Sequence, residues 1–200
     1  MENYAAYHGG RLPPAVSRDP EGQPLLSWRV LLLPYIEEES LYKEFHLDEP
    51  WDSPHNLTLL PKMPRIYRAP PDTGLENRSD ATFYQVFTGP DTPFGIAAGP
   101  RLPDDFPKGI SATILVVEAG EAVPWTKPQD VDYDPDKPLP KLGGLFTGPG
   151  RFRLLPSDRR NGANVLMADG WTRFVEAPTS ERAWRWAISR TTTEPMPGEW

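Results

Sequence analysis

The sequence predicts an α+β fold in which an antiparallel sheet is combined with short helices and long irregular loops. The sheet is indicated by β-branched and aromatic runs at residues 81–89 and 111–119, bounded by Gly, Pro and Asp. A second indication is the segment 161–176, in which two apolar runs flank the pair Asp169-Gly170. The helices are indicated by apolar residues at helical spacing in two short stretches.

The Asp-Gly pair predicts a β-hairpin. Such a pair between strand-like runs is a strong short-range hairpin signal, because both turn residues are expected to take positive φ. Gly accepts this conformation freely, and Asp accepts it better than most residues. Asp169 and Gly170 are therefore the predicted turn residues of a hairpin late in the chain.

The first helical stretch covers residues 27–45, and Pro34 should break it into two helical pieces. Ser53 and Pro54 predict the start of another short helix, because the hydroxyl can cap the helix and proline suits the first helical position. A strand is predicted around residues 65–68.

The second helical stretch lies near the C-terminus. Residues 179–181, Thr-Ser-Glu, should open a helix over 181–190 that buries one apolar face. The members of that face are Trp184, Ala187 and Ile188. Residues 191–200 are predicted to be a frayed tail.

Composition predicts one loop-rich globular domain over residues 1–200. The chain has 26 Pro and 16 Gly, but its seven Trp, seven Tyr and eight Phe argue against disorder. It has no cysteine, which excludes disulfides and thiolate metal sites. No apolar run is long enough to span a membrane, and residues 1–10 lack the regions of a signal peptide.

The net charge argues against a nucleic-acid partner. A charge of −7 and a pI near 5.0 repel a phosphate backbone, and no basic stripe interleaved with aromatic residues opposes this field. The one basic cluster is interpreted as solvated loop charge; it consists of Arg151, Arg153, Arg159 and Arg160.

A Pro-, Asp- and Gly-rich excursion is predicted over residues 120–149, of a length that is usually functional or packed on the surface. Its acidic run suggests a calcium loop, because hard oxygen ligands alternate along it. The EF-hand pattern fails, however, with Pro135 at the glycine position and Lys141 at the closing glutamate position. Another cation geometry and a simple solvated loop remain as alternatives. The acidic run consists of Asp130, Asp132, Asp134 and Asp136.

Glu118 and Glu121 follow a predicted buried strand. One interpretation is a general acid beside a second carboxylate, as in a glycan-processing hydrolase. The other is that Glu118 ends the strand and bonds loop amides, which would pin the start of the excursion.

Other catalytic and binding signals are weak. His8, His46 and His55 form no i, i+4 pair for zinc, and no nucleophile elbow, phosphate loop or dinucleotide fingerprint is present. The tryptophans could form a sugar-stacking face or could anchor loops to the core. They are Trp28, Trp51, Trp125, Trp171, Trp184, Trp186 and Trp200.

Several segments together resemble a known family. They are YHGGRLPPA, LLSWRVLLLPYIEEESLYKEFHLDEPWDSPHN, TFYQVFTGP, GISATILVVEAGEAVPWTKPQD, YDPDKPLPKLGG and NGANVLMADGWTRFV, which cover nearly the whole chain in the family's order. The family is the prepilin-like family of unknown function of planctomycete bacteria. Its proteins carry an N-terminal cleavage and methylation segment and a C-terminal signature of His, nine residues, then Asp-Gly.

The resemblance implies a pilin-like fold and a role like that of a pseudopilin of type II secretion, with no enzymatic activity. Two features depart from the family pattern. Arg159 stands where the signature has His, so a metal or proton role of that imidazole is not expected. The apolar anchor helix is missing before Met1, so self-assembly through that helix should fail, and a membrane contact would need the absent anchor.

The leading hypothesis is a non-enzymatic structural or interaction domain, the soluble head of a pseudopilin-like protein with protein partners and no cofactor. The head would lie outside the cytoplasm if an anchor precedes it, and in the cytoplasm otherwise. Alternatives are a calcium-dependent or carbohydrate-binding module and the hydrolase that uses Glu118. The candidate binding residues lie in and beside the excursion: Glu118, Glu121, Trp125, Asp130 and Asp134, with Asp169 and Gly170 holding the hairpin.

Overall fold

The N-terminal part of the protein consists of short elements. The computed structural model describes residues 1–69, 80–143, 162–176, 179–198 and 200. Over residues 1–57 the elements are helix α1 (Glu2–Tyr7), the antiparallel strand pair β1 (Val16–Arg18) and β2 (Pro24–Ser27), and the helices α2 (Trp28–Leu31), α3 (Glu39–Tyr42) and α4 (Pro54–Leu57). None of these helices is longer than two turns, so their positions depend on packing rather than on helix propensity.

A five-stranded sheet follows. Its spatial order is β5-β3-β4-β6-β7, with every pair antiparallel except β3 and β5, which run parallel. The predicted α+β class is therefore confirmed, although the sheet is mixed rather than purely antiparallel. The strands are β3 (Ala81–Thr88), β4 (Ile114–Pro124), β5 (Val131–Asp132), β6 (Gly162–Met167) and β7 (Thr172–Glu176), and the last helix is α5 (Glu181–Ile188).

Both faces of this sheet are covered. The neighbouring residues Val86 and Phe87 of β3 belong to two different apolar clusters, because side chains alternate between the faces of a strand. One cluster contains the N-terminal elements, and the other contains α5. The sheet thus lies between the short N-terminal elements and the C-terminal helix.

The predicted hairpin is confirmed, but its turn differs from the expectation. Asp169 does not have a positive φ, whereas Gly170 does, at 84°. The amide of Gly170 donates to the carbonyl of Met167 (3.0 Å), and the amide of Met167 donates to the carbonyl of Trp171 (2.8 Å). This is a three-residue loop with glycine in the left-handed position, so only Gly170 needs the unusual conformation.

The helical stretch 27–45 breaks at a different place from the one predicted. Pro34 lies inside a 3₁₀ turn, Leu33–Tyr35, at a position that does not need its amide hydrogen. The chain leaves the helical path at Glu37, whose φ is 65°. The predicted cap at Ser53 is confirmed, since its hydroxyl accepts from the amide of Asn56 (3.1 Å).

The strand predicted at residues 65–68 was wrong. The structure has a 3₁₀ turn at Arg65–Tyr67. Tyr67 is buried and donates from its hydroxyl to the carbonyl of Arg29 (2.9 Å), while Ile66 is 63% exposed. Burial of this tyrosine, rather than the β-propensity of the run, decides the local conformation.

The predicted excursion begins later than expected, because β4 continues through Pro124. Residues 144–149 of the excursion, and the basic cluster that includes Arg159, lie outside the described residues. Two residues of the predicted frayed tail contact α5 instead. The indole of Trp186 donates to the carbonyl of Glu194 (2.9 Å), and the ring centroids of Trp200 and Trp184 lie 6.0 Å apart. Within the described residues, no helix combines the length and apolarity needed to cross a membrane.

Candidate functional site

The acid-rich part of the excursion is held against α5 by Arg185. Its guanidinium donates to the carbonyl oxygen of Pro135 (2.9 Å) and to that of Lys137. It also donates through Nε to Oε1 of Glu181 (3.1 Å), one helical turn earlier. Since the Arg185 side chain is only 23% exposed, these bonds are partly shielded from water. Residues 133–137 are therefore fixed on the helix.

A cleft of about 570 Å³ lies where this loop meets the helix, and we call it the α5 cleft. Tyr133 and Trp186 are both buried and give its wall an aromatic part, while charged side chains of both signs surround it. The charged residues are Asp91, Glu181, Arg182, Arg185 and Glu194. The α5 cleft therefore combines a buried aromatic wall with charged side chains of both signs.

The far wall of the α5 cleft is fixed to the end of the helix. Asp91 has a φ of 57°, which Asp tolerates better than most residues. Its carbonyl accepts from the amide of Arg190 (2.8 Å), and Arg190 also donates to the carbonyl of Asp105 (3.1 Å). Backbone bonds thus hold both sides of the cleft.

Two of the predicted site residues lie at the surface: Asp134 is partly exposed and Glu121 is exposed. Asp134 is paired with Lys137 (3.1 Å), and the amide of Asp136 and this lysine lower the pKa of its carboxyl. Glu121 is also exposed, and its carbonyl accepts from the buried amide of Gln85 (2.7 Å). Asp134 lies beside the α5 cleft through its neighbours Tyr133 and Pro135.

Asp130 is not part of an open acidic surface. Its side chain is 2% exposed, and Oδ1 lies 2.7 Å from Nη2 of Arg29, which is fully buried. Oδ1 also accepts from the indole of Trp28 (3.1 Å) and the amide of Val86 (3.0 Å). Burial raises the pKa of the Asp130 carboxyl, and Arg29 opposes that shift. The ion pair joins α2 to the segment before β5.

Arg29 is itself well satisfied. It donates twice to the carbonyl of Tyr84 (2.9 and 2.7 Å) and once to the hydroxyl of Ser27 (2.7 Å). A buried guanidinium is tolerated only with such partners. This network connects the N-terminal elements to β3.

Glu118 is buried within the sheet, with 1% exposure. Its Oε2 accepts from the backbone amide of Asn164 (2.8 Å) and from the side-chain amide of the same residue (3.0 Å). The carbonyl of Glu118 also accepts from the amide of Gly143 (2.7 Å). Glu118 thus links β4 to β6 and to the end of the described excursion, in a different environment from the exposed Glu121.

Trp125 is a core residue. It is fully buried, and its indole donates to the carbonyl of Leu60 (2.8 Å). The tryptophans do not share an exposed face: Trp171, at the hairpin, is 74% exposed, whereas four others are buried. The buried ones are Trp28, Trp125, Trp184 and Trp186.

The predicted carboxylates do not converge on one point. Glu118 bonds to Asn164, Asp130 pairs with Arg29, and Asp134 pairs with Lys137. Among the described residues, no group of three or more His, Asp or Glu side chains is placed to hold a metal ion. The excursion therefore contributes one wall of the α5 cleft rather than a cluster of carboxylates.

Lys108 lies behind the α5 cleft. Its Nζ donates to the carbonyl of Trp186, in the last turn of α5, and lies 4.1 Å from the centroid of that indole ring. Burial lowers the pKa of Lys108 to about 7. The charged form is therefore less favourable here than in the unfolded chain.

We expect the stability cost of this buried amine to fall as pH rises. Between about pH 7 and the ordinary pKa of 10.5, the unfolded chain holds more protons on Lys108 than the native state does, so native stability increases with pH. Urea unfolding across this range should show the wild type gaining stability relative to Lys108→Met. For Lys43→Met, whose lysine side chain is 70% exposed, the difference from wild type should stay constant. A constant difference for Lys108→Met would contradict the expectation.

Three residues that hold the site and its surroundings were not singled out from the sequence: Arg29, Asn56 and Arg185. A signal existed for Arg29, because a lone charge within the apolar run WRVLLL requires a buried partner. Arg185 had a weaker signal in its i, i+4 spacing from Glu181. Asn56 had none, since its partners are backbone groups of a loop.

Comparison with known proteins gives one family. A family model described as "Protein of unknown function (DUF1559)", a family of planctomycete proteins, matches residues 1–102. The match covers half of the chain and extends from α1 through β3 to the loop beyond it. The comparisons with curated proteins and with solved structures each returned no match.

Proposed function

We propose that this chain, which belongs to the DUF1559 family of proteins of unknown function, is a non-enzymatic interaction domain. It is the head of a pseudopilin-like protein, and the α5 cleft is the surface that receives a protein partner. The observation that carries this proposal is the attachment of residues 133–137 to α5 by Arg185, which gives the cleft a fixed shape. A preformed surface loses little conformational entropy on binding.

The position of the first helix is compatible with a pilin-like head. A Cβ atom built on Gly170 would lie 2.7 Å from Oε1 of Glu2, so α1 approaches the turn of the hairpin closely. In a pilin-like protein, a helix leads into the head and packs against the sheet. The approach of α1 to the turn of the β6-β7 hairpin supports this part of the proposal.

The charges of the α5 cleft favour a partner of mixed charge. Arg182 and Glu194 lie 3.5 Å apart and are 68% and 62% exposed, so their pairing contributes little to stability. Both can exchange this contact for one with a partner at low cost. Aromatic and arginine side chains at the centre of an interface commonly dominate its affinity.

The proposal predicts binding to another prepilin-like head from the same genome. Purified heads should be tested by calorimetry, and at least one should bind. The substitution Arg182→Glu should weaken that binding at least about tenfold, because it reverses a charge at the cleft and removes only the exposed pair with Glu194.

Lys43→Glu is the matched control, since Lys43 is a similarly exposed lysine paired with Glu39, away from the cleft. It should leave the affinity unchanged. Failure of every head to bind, or equal losses for the two variants, would contradict the proposed function.

A further inference from the structure

The chain returns to α5 after the helix has ended. The indole of Trp186 donates to the carbonyl of Glu194 (2.9 Å), and Oε2 of Glu194 lies 3.5 Å from Nη2 of Arg182. Further along, the ring centroid of Trp200 lies 6.0 Å from that of Trp184 and 6.5 Å from that of Trp186. We call the segment that makes these contacts, residues 191–198 and 200, the α5 strap.

The α5 strap is weakly attached. Its amides bond within the segment or to the residue at the end of the helix: those of Thr191 and Thr192 donate to the hydroxyl of Ser189 (3.3 and 3.0 Å), and that of Trp200 donates to the carbonyl of Pro197 (3.1 Å). Within the described residues, its polar attachment to α5 is one indole bond and one exposed ion pair, and such a pair contributes little. Segments with few attachments open at a low cost in free energy.

The residue before the α5 strap is fixed. The amide of Arg190 donates to the carbonyl of Asp91 (2.8 Å), its guanidinium donates to the carbonyl of Asp105 (3.1 Å), and its carbonyl accepts from the amide of Lys108 (3.4 Å). Release of the strap would therefore leave α5 in place and remove one wall of the α5 cleft. The strap residues in that wall are Thr191, Thr192 and Glu194.

The α5 strap does not satisfy all of its own groups on the helix. Nε1 of Trp200 is buried, and it has no acceptor among the described residues. A buried donor without an acceptor loses its hydration without compensation. This cost opposes closure of the strap, so a segment that makes the same contacts without an unpaired donor would bind α5 better.

The contacts of the α5 strap define the chemistry that α5 recognises. The indole N–H of Trp186 binds a backbone carbonyl, the guanidinium of Arg182 faces a carboxylate, and the ring of Trp184 packs against an aromatic side chain. In the strap, Pro195 and Pro197 lie between the carboxylate and the aromatic residue and restrict the backbone to extended conformations. The matching ligand is an extended acidic segment that carries an aromatic residue.

We propose that the partner docks on α5 through such an extended acidic segment, and that the α5 strap is an intramolecular competitor for the same surface. The proposal rests on the proposed function, in which the α5 cleft receives a protein partner. The partner segment displaces the strap and takes over its contacts with Trp186, Arg182 and Trp184. Because the strap belongs to the same chain, its effective concentration at α5 is roughly millimolar, which lowers the apparent affinity for the partner.

A peptide with the sequence of residues 191–200, TTTEPMPGEW, is the probe. The dye-labelled peptide is titrated with the full chain up to about 1 mM, the range of the strap's effective concentration, and fluorescence polarisation reports binding. Trp200→Ala loosens the strap without changing α5, so it should bind the peptide at least about tenfold more tightly than the wild type. A peptide with alanine in place of its tryptophan should bind neither protein.

Two further variants locate the binding. Trp171→Ala, which removes a tryptophan that is 74% exposed at the hairpin, is the matched control and should bind the peptide as weakly as the wild type. Adding Trp186→Phe to Trp200→Ala should abolish the gain, because phenylalanine keeps an aromatic ring but lacks the indole donor. Equal binding to the wild type and Trp200→Ala, or binding to neither, would overturn the proposal.

The same variant separates this proposal from the proposed function. A head that binds the wild type should bind Trp200→Ala more tightly, because no strap has to be displaced. If a head binds both proteins equally, the proposed function stands and the competitor role of the α5 strap is wrong. If the peptide behaves as expected and no head binds, α5 recognises an acidic segment and the proposed partner is wrong.

Discussion

Replacing Asp130 with leucine should destabilise the native state by about 3–5 kcal/mol, because Arg29 would remain buried without its counter-charge. For a protein of 200 residues this loss lowers the melting temperature by roughly 10 °C. The two residues are 101 positions apart in the sequence, so their contact joins the N-terminal elements to the sheet. Urea unfolding of the variant measures the loss.

The double variant Arg29→Met with Asp130→Leu identifies the cause. Replacing both members of a buried pair by apolar residues is often close to neutral, whereas removing one member is costly. We therefore expect the double variant to recover much of the stability lost in Asp130→Leu. Asp136→Ala, at an exposed aspartate of the same run, should change stability by no more than about 0.5 kcal/mol. Equal losses for the single and the double variant would show that packing, rather than the unpaired charge, accounts for the effect.

Replacing Asn56 with alanine should cost about 2–3 kcal/mol, because the side chain organises the loop before α4. Its Oδ1 accepts from the amide of His46 (3.1 Å), and its Nδ2 donates to the carbonyls of His46, Glu49 and Pro50 (3.0, 3.3 and 3.1 Å). Asn56 is fully buried, so loss of the side chain removes all four bonds from a site without water. The carbonyls of His46 and Pro50 keep one other bond each, from the amides of Glu49 and Ser53. Chemical unfolding gives the magnitude.

Asn56→Asp tests the same network in another way. The aspartate keeps an acceptor for the amide of His46, but it places a carboxylate against three carbonyl oxygens, so it should be at least as destabilising as alanine. Asn3→Ala, at an exposed position of α1, should have little effect. A stable Asn56→Asp protein would contradict the donor role assigned to Nδ2.

Features that depend on neighbouring residues could be predicted from the sequence. The hairpin at Asp169-Gly170, the cap at Ser53 and the strands β3 and β4 all follow from short-range preferences of the backbone. Two predictions about local structure were wrong because another interaction or conformation outweighs the preference on which they rested. Residues 65–68 form a turn because Tyr67 is buried, and the helical stretch is interrupted at Glu37 rather than at Pro34 because a 3₁₀ turn accommodates proline.

The candidate site was less predictable than the fold, because charged residues take their roles from distant partners. Asp130 and Asp134 belong to one acidic run, yet one is a buried structural ion and the other is a surface charge. Glu118 was expected either to act in a reaction or to hold the end of a strand, and it bonds to Asn164, 46 residues away.

The sequence by itself determined the α+β class, the hairpin and the helix starts, since these depend on the conformational preferences of adjacent residues. Only the tertiary structure decided that Arg29 neutralises Asp130, that Arg185 holds the loop on α5, and that the α5 cleft lies beside the excursion. The physical reason is that the state of a charge depends on which donors and acceptors surround it after folding, and those lie far away along the chain.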